Sequence, residues 1–408
     1  MFTRRELSKT LLALTAAVGG CTTILGVDND YHAVDGATGT SSGGSGGGGA
    51  TASISVGTGG SAGAGASGGT GGVSDGGGGF GGGCPVDECS GVCVNKQNDE
   101  MNCGTCGRKC LGGDCSSGQC QPFVLFGDQD APEDIAVSEG KVYWTNSGNT
   151  GTIRSGLVDG PMDMNPLVAG QDNPMGIAVD GMGVYWAAEP TSSVFGVPAG
   201  GGNANSIATQ PGTPHGIAED GSQVFWTTGG GGQVMKALKT ATGGNPPPEM
   251  LATGQANPRG IAVHMDFVYW TSSGDGSVNK VSTTGGGIDL VASGQSNPID
   301  IAVDGTNVYW VNNGNGTVMK APHTGDGPVV LASGQISPQG IAVDGTHVYW
   351  TNDDAVWRLG INAPGNPPTA MAAGQAGPRG IAVDDDAVYW VNRGGSGRFA
   401  DSVMKVAK

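Results

Sequence analysis

From residue 121 onward the apolar residues fall in short clusters of three to five, separated by turns rich in Gly, Asn, Asp and Pro. One recurring unit reads Asn297-Pro298-Ile299-Asp300-Ile301-Ala302-Val303-Asp304-Gly305-Thr306-Asn307-Val308-Tyr309-Trp310. Its two apolar clusters have the length of strands, and the Asp-Gly between them suits a tight antiparallel turn. Segments such as Thr317-Val318-Met319-Lys320 and Val329-Val330-Leu331-Ala332 supply a third and a fourth strand. The second cluster ends at Trp144, Trp186, Trp226, Trp270, Trp310, Trp350 and Trp390, a spacing of 42, 40, 44, 40, 40 and 40 residues. Four strands at a period near 40 predict the blades of a propeller. The fold class is therefore all-β, with a seven-bladed β-propeller over residues 121–408.

A lone blade cannot bury both of its faces, so each Tyr-Trp pair is expected to pack between neighbouring blades. The seventh unit stops at its third strand, Ser402-Val403-Met404-Lys405-Val406, while Pro122-Phe123-Val124-Leu125-Phe126-Gly127 precedes the first unit and reads as a fourth. Residues 121–127 are thus expected to close the last blade, which leaves no free sheet edge. The Val-Tyr-Trp-Thr stretches at 142–145, 268–271 and 348–351 resemble YWTD repeats, and Pro-x-Gly-Ile-Ala-Val-Asp resembles NHL repeats. The resemblance departs from YWTD propellers in blade number, six there and seven here. Asn146, Asn312, Asn352 and Asn392 also stand where those repeats carry Asp.

The segment before the propeller has another composition. Arg4, Arg5 and Lys9 lead into the apolar run Leu11 to Val18, the layout of an export signal and too short to span a bilayer. Val18-Gly19-Gly20-Cys21 resembles the lipobox of bacterial lipoproteins, which implies a signal peptide at 1–20 and lipidation of Cys21. Without that resemblance the same residues are an ordinary cleavage site beside a cysteine. Thr3 to Lys9 resembles a twin-arginine export motif, the general secretory route being the alternative. Thr22 stands where an inner-membrane retention signal carries Asp, which implies an outer-membrane or cell-surface location, its periplasmic face included. The multiple acyl chains of a lipoprotein would then anchor the chain to the membrane.

Residues 36–83 are almost wholly Gly, Ser, Ala and Thr and cannot bury enough apolar surface to fold. With the lipidated end they form a disordered tether over 21–83, whose glycine-rich part reaches roughly 35–40 Å. Cys84, Cys89, Cys93, Cys103, Cys106, Cys110, Cys115 and Cys120 then crowd into a small module at 84–120. Four disulfides of undetermined pairing are expected in an exported module with so little core. Zinc at Cys103-Gly-Thr-Cys106 is the alternative. Cys93 to Cys110 resembles the stigma-specific cysteine-rich family and related repeats of myxobacterial surface proteins, which implies an extracellular module.

A formal net charge of -17 removes the electrostatic basis for nucleic-acid binding. Candidate chemistry lies where the repeats differ. Just before each Ile-Ala the chain places Glu133, Met175, His215, Arg259, Ile299, Gln339 and Arg379, on loops that open on one propeller face. A position that varies inside a constant frame is either unconstrained or shaped for an asymmetric ligand. The recurrent Gln129, Gln171, Gln255, Gln295, Gln335 and Gln375 read as structural, as do Lys236, Lys280, Lys320, Arg358 and Lys405.

The repeats are also similar to those of virginiamycin B lyases and gluconolactonase-like hydrolases, a resemblance that implies a metal or a His and Glu acting together. Of the propeller histidines only His215 maps to the loop-rich face, and His264, His323 and His347 map to the opposite one. No HExxH, nucleophile elbow or EF-hand loop occurs. The expected function is thus a binding module for a protein or glycan, with no catalytic residue and no cofactor. The alternative is a lyase or lactonase using His215 and Glu133. Turns such as Asn312-Asn313-Gly314-Asn315-Gly316 have residue types that hold calcium, types which tight turns select in any case.

Overall fold

A computed structural model describes residues 87–189, 191–209, 212–394 and 399–408. Cys21, Cys84, the export signal and the tether lie outside them. The described residues contain no helix and form seven four-stranded antiparallel sheets, each built from strands consecutive in sequence except the last. Blade 5, for example, runs through Pro298–Val303, Asn307–Asn312, Thr317–Pro322 and Val329–Ala332. Blade 7 takes Pro378–Val383, Ala387–Asn392 and Ser402–Ala407, and its fourth strand is Phe123–Phe126, with Met404 opposite Val124 and Lys405 opposite Phe123. Strand one of each blade touches strand one of the next, and blade 7 touches blade 1, so these strands wall a central channel.

Strand geometry sends successive side chains to opposite faces. Tyr309 therefore packs with Trp350 of blade 6 while Trp310 packs with Tyr269 of blade 4. The pattern repeats at every seam, with Phe225 in the tyrosine position of blade 3, and Tyr389 with Trp144 completes the ring. Such an aromatic removes roughly 150–250 Å² from water, about 4–6 kcal/mol at about 25 cal/mol/Å² before chain entropy is charged. The seams, not the channel, hold the core.

The buried indoles need acceptors, and the recurrent glutamines supply them. Trp144, Trp186, Trp270, Trp310, Trp350 and Trp390 donate through Nε1 to Gln129, Gln171, Gln255, Gln295, Gln335 and Gln375, at 2.7–3.1 Å. Each glutamine Nε2 in turn donates to the backbone carbonyl two residues earlier. In three blades an asparagine joins: Asn146, Asn312 and Asn392 donate to the same glutamine oxygen. A carboxylate there would face an acceptor with an acceptor, which accounts for Asn in place of Asp at these three positions.

Strand-three lysines stitch the seams from outside. Lys236, Lys280, Lys320 and Lys405 each donate to the carbonyl just past strand three of the next blade, those of Thr283, His323, Ile361 and Val158, at 2.7–3.0 Å. In blade 7 the equivalent carbonyl, that of Lys408 at the seam with blade 6, accepts instead from Arg108 Nε of the cysteine-rich module at 2.9 Å. Arg358, which replaces lysine in blade 6, does not make this bond.

The module is two short hairpins, Asp87–Cys89 with Val92–Val94 and Cys115–Ser116 with Gln119–Cys120. Disulfides join Cys89 to Cys106, Cys103 to Cys115 and Cys110 to Cys120, and Cys93 is disulfide-bonded as well. The Cys103 and Cys106 sulfurs are thereby divided between two bridges rather than offered to zinc. The buried cysteines pack on Ala407, and Phe123 lies against Gly112 and Gly113, so the module sits on both strands that close the ring. This disulfide framework belongs to an extracytoplasmic protein.

Candidate functional site at the axial mouth

The seven variable positions line one cavity of about 180 Å³ at the mouth of the channel: Glu133, Met175, His215, Arg259, Ile299, Gln339 and Arg379 all face it. The local cause is a β-bulge. In six blades the register shifts between the strand-one proline and the Ile or Asp that follows, as at Pro174/Ile177 and Pro258/Ile261, and the variable residue lies within the bulge. Bulges re-aim a side chain, and here they turn it towards the axis. The backbone at this point is fixed: Thr145, Thr227 and Thr351 donate their hydroxyls to the carbonyls of Met175, Arg259 and Arg379 in the next blade, at 2.5–2.7 Å. The glycine that follows is also forced. A Cβ on Gly216 or Gly340 would lie 2.5 Å from the carbonyl oxygen of Arg259 or Arg379.

Two blades carry Asp at that glycine position. Asp134 accepts from the Ile135 amide at 2.9 Å and from Ile177 of the next blade at 3.0 Å, and Asp300 accepts from Ile341 across its own seam at 2.9 Å. Burial pushes the Asp134 carboxyl up to about 6 against the pull of those amides. Burial, with Asp134 adding to it, takes Asp300 to about 7.

The rim charges are mostly paired. Glu133, buried, accepts from Arg379 at 3.1 Å, from Arg393 and from Ser147 at 3.1 Å. His215 Nδ1 lies 3.2 Å from Glu189, which Asn173 also holds at 2.9 Å. Desolvation lowers the His215 pKa, Glu189 opposing and Arg259 adding to the effect. His215 and Glu133, the pair expected from the sequence to act together, thus have separate partners. His264 and His323 stack edge to face with each other and do not line the mouth. In the Asn312–Gly316 turn, Asn313 donates to the Pro338 carbonyl of the next blade and Asn315 accepts from Thr317, so two of its side chains are spent on the protein's own loops.

With this geometry in hand, solved structures give the comparison. The chain is similar to a streptogramin B lyase, with a TM-score of 0.59 and 17% identity over 71% of this chain and 97% of that chain. It is equally similar to virginiamycin B lyase from Staphylococcus aureus, at TM-score 0.59 and 17% identity over 71% and 98%. The computationally designed protein Ika8 follows at 0.51 and 15% over 70% and 98%. The shared feature is the propeller fold. No family model and no curated protein matches the chain.

Sequence reasoning missed Asp134, Asp300, Glu189 and Arg393. The first two had a signal, Asp at two places where the other five repeats have Gly. Glu189 and Arg393 sit in the loops after strand two, and only the tertiary fold brings them to the rim.

Proposed function

We propose that this chain is an exported, lipid-anchored envelope protein that holds a protein or glycan ligand at the axial mouth of its propeller. The observation that carries the reading is the contrast at the bulge: backbone, threonine stitches and neighbouring glycines repeat, while the side chains aimed into the cavity differ in every blade except for two arginines. A scaffold that fixes seven positions and varies what they present is suited to an asymmetric ligand. The resemblance of Val18 to Cys21 to a lipobox supports the anchor, and the disulfides agree with an exported destination.

A lyase or lactonase is the second reading, favoured by one feature, the His215–Glu189 pair, since a carboxylate on Nδ1 orients an imidazole for proton transfer. The two readings separate when the full chain is incubated with ligands that it retains on glycan and peptide arrays and each ligand is then weighed. Ligand that is retained after chelation and recovered intact supports the binding module. A product whose formation requires His215 supports the enzyme.

A further inference from the structure

Around the mouth the ionisable groups are spent on one another, with one exception. Glu133 holds Arg379 and Arg393, Glu189 holds His215, and Asp134 and Asp300 are taken up by backbone amides of the inner strands. Arg259 is the exception among the described residues. Its carbonyl is pinned by Thr227, but its exposed guanidinium has neither a hydrogen bond nor an ion pair. It keeps five donors on the wall of a cavity whose other charged side chains, Glu133, Asp134, His215, Asp300 and Arg379, already have the partners just named.

A planar guanidinium with its fork unused is complementary to a carboxylate, which it binds bidentately. The shape of the mouth restricts the ligand further. A cavity of about 180 Å³ admits the end of a molecule rather than the whole of it. The chain's net charge of -17 repels a polyanion at long range, so the ligand should carry its acid on an otherwise neutral body. We infer that the axial mouth receives a single carboxylate group, bound by Arg259, at the end of an otherwise neutral ligand. This rests on the mouth being the binding site.

The test is calorimetric titration of the full chain with two acids, glucuronate and hexanoate, and their uncharged counterparts, glucose and hexanamide. At least one acid binds with one-to-one stoichiometry, its neutral counterpart binds at least about tenfold more weakly, and Arg259→Gln loses a similar factor, the range that a charge-assisted hydrogen bond supplies. Arg259→Lys retains part of the affinity, Lys109→Gln on the distant module retains all of it, and unchanged melting temperatures show that every variant is folded. Which acid binds tells whether the body of the ligand is sugar or aliphatic. Equal binding of acid and neutral forms, full affinity in Arg259→Gln, or no binding of either acid overturns the inference. In those cases array binding that is lost in Gln339→Ala and His215→Ala would still uphold the mouth as the site.

Discussion

Gln295 holds two donors at once, the Trp310 indole at 3.0 Å and the Asn312 amide at 2.9 Å, whereas Gln255 holds only the Trp270 indole. Leaving a buried donor unsatisfied costs about 1–3 kcal/mol. Gln295→Leu should therefore destabilise the chain more than Gln255→Leu, by about one such increment, as chemical denaturation of the two variants measures. The recurrence of these glutamines was legible in the sequence, and so was their structural role. Their partner was not, because an indole 15 residues later comes within reach only when the strands are laid side by side. A second residue-scale prediction concerns Asp300, whose carboxyl is raised from an unfolded value near 3.8 to about 7. Folding then favours the protonated form, so this contribution to stability is fully present below about pH 4 and lost as pH rises through about 7. Compared with Asp300→Asn, the wild type should lose roughly a few degrees of melting temperature between pH 4 and pH 8. Parallel pH profiles of the two proteins would contradict the assignment.

At the level of elements, the cysteine-rich module behaves as a clasp on blade 7, the blade that pairs the two ends of the propeller. The Lys408 carbonyl, whose counterparts in blades 1, 4, 5 and 6 are bonded by a lysine of the preceding blade, is bonded by Arg108. Ala407 and Phe123, from the two paired closing strands, both rest against the module. Arg108→Ala should cost about 1 kcal/mol, discounted from the range for a charged donor because the side chain is half-exposed. Reduction of the disulfides should lower the melting temperature of the propeller itself, read from its buried tryptophans. A tryptophan transition indifferent to reductant would mean that the module merely adjoins the ring. The strands and the even cysteine count could be read in advance, since both follow from local pattern and compartment. The clasp could not, because Arg108 and Lys408 are 300 residues apart in sequence.

Across the whole molecule, the tryptophan spacing gave the blade number because a closed ring makes every seam chemically alike, and likeness of seams is what a repeat records. The mouth was legible for the complementary reason, as a position that takes a different residue in almost every unit inside a frame that largely repeats. Its charge balance was only partly legible: two half-buried aspartates stand out at an otherwise glycine position, but Glu133 draws Arg379 and Arg393 from the far end of the chain. This mouth is the proposed working part of the protein, and the most direct test is to fill it. Ile299→Trp places an indole in the cavity, and His347→Trp makes a change of similar bulk away from it. With both variants folded, array binding by the full chain should be lost in Ile299→Trp and kept in His347→Trp. Retention in Ile299→Trp, or loss only in His347→Trp, would contradict the assignment of the mouth as the binding site.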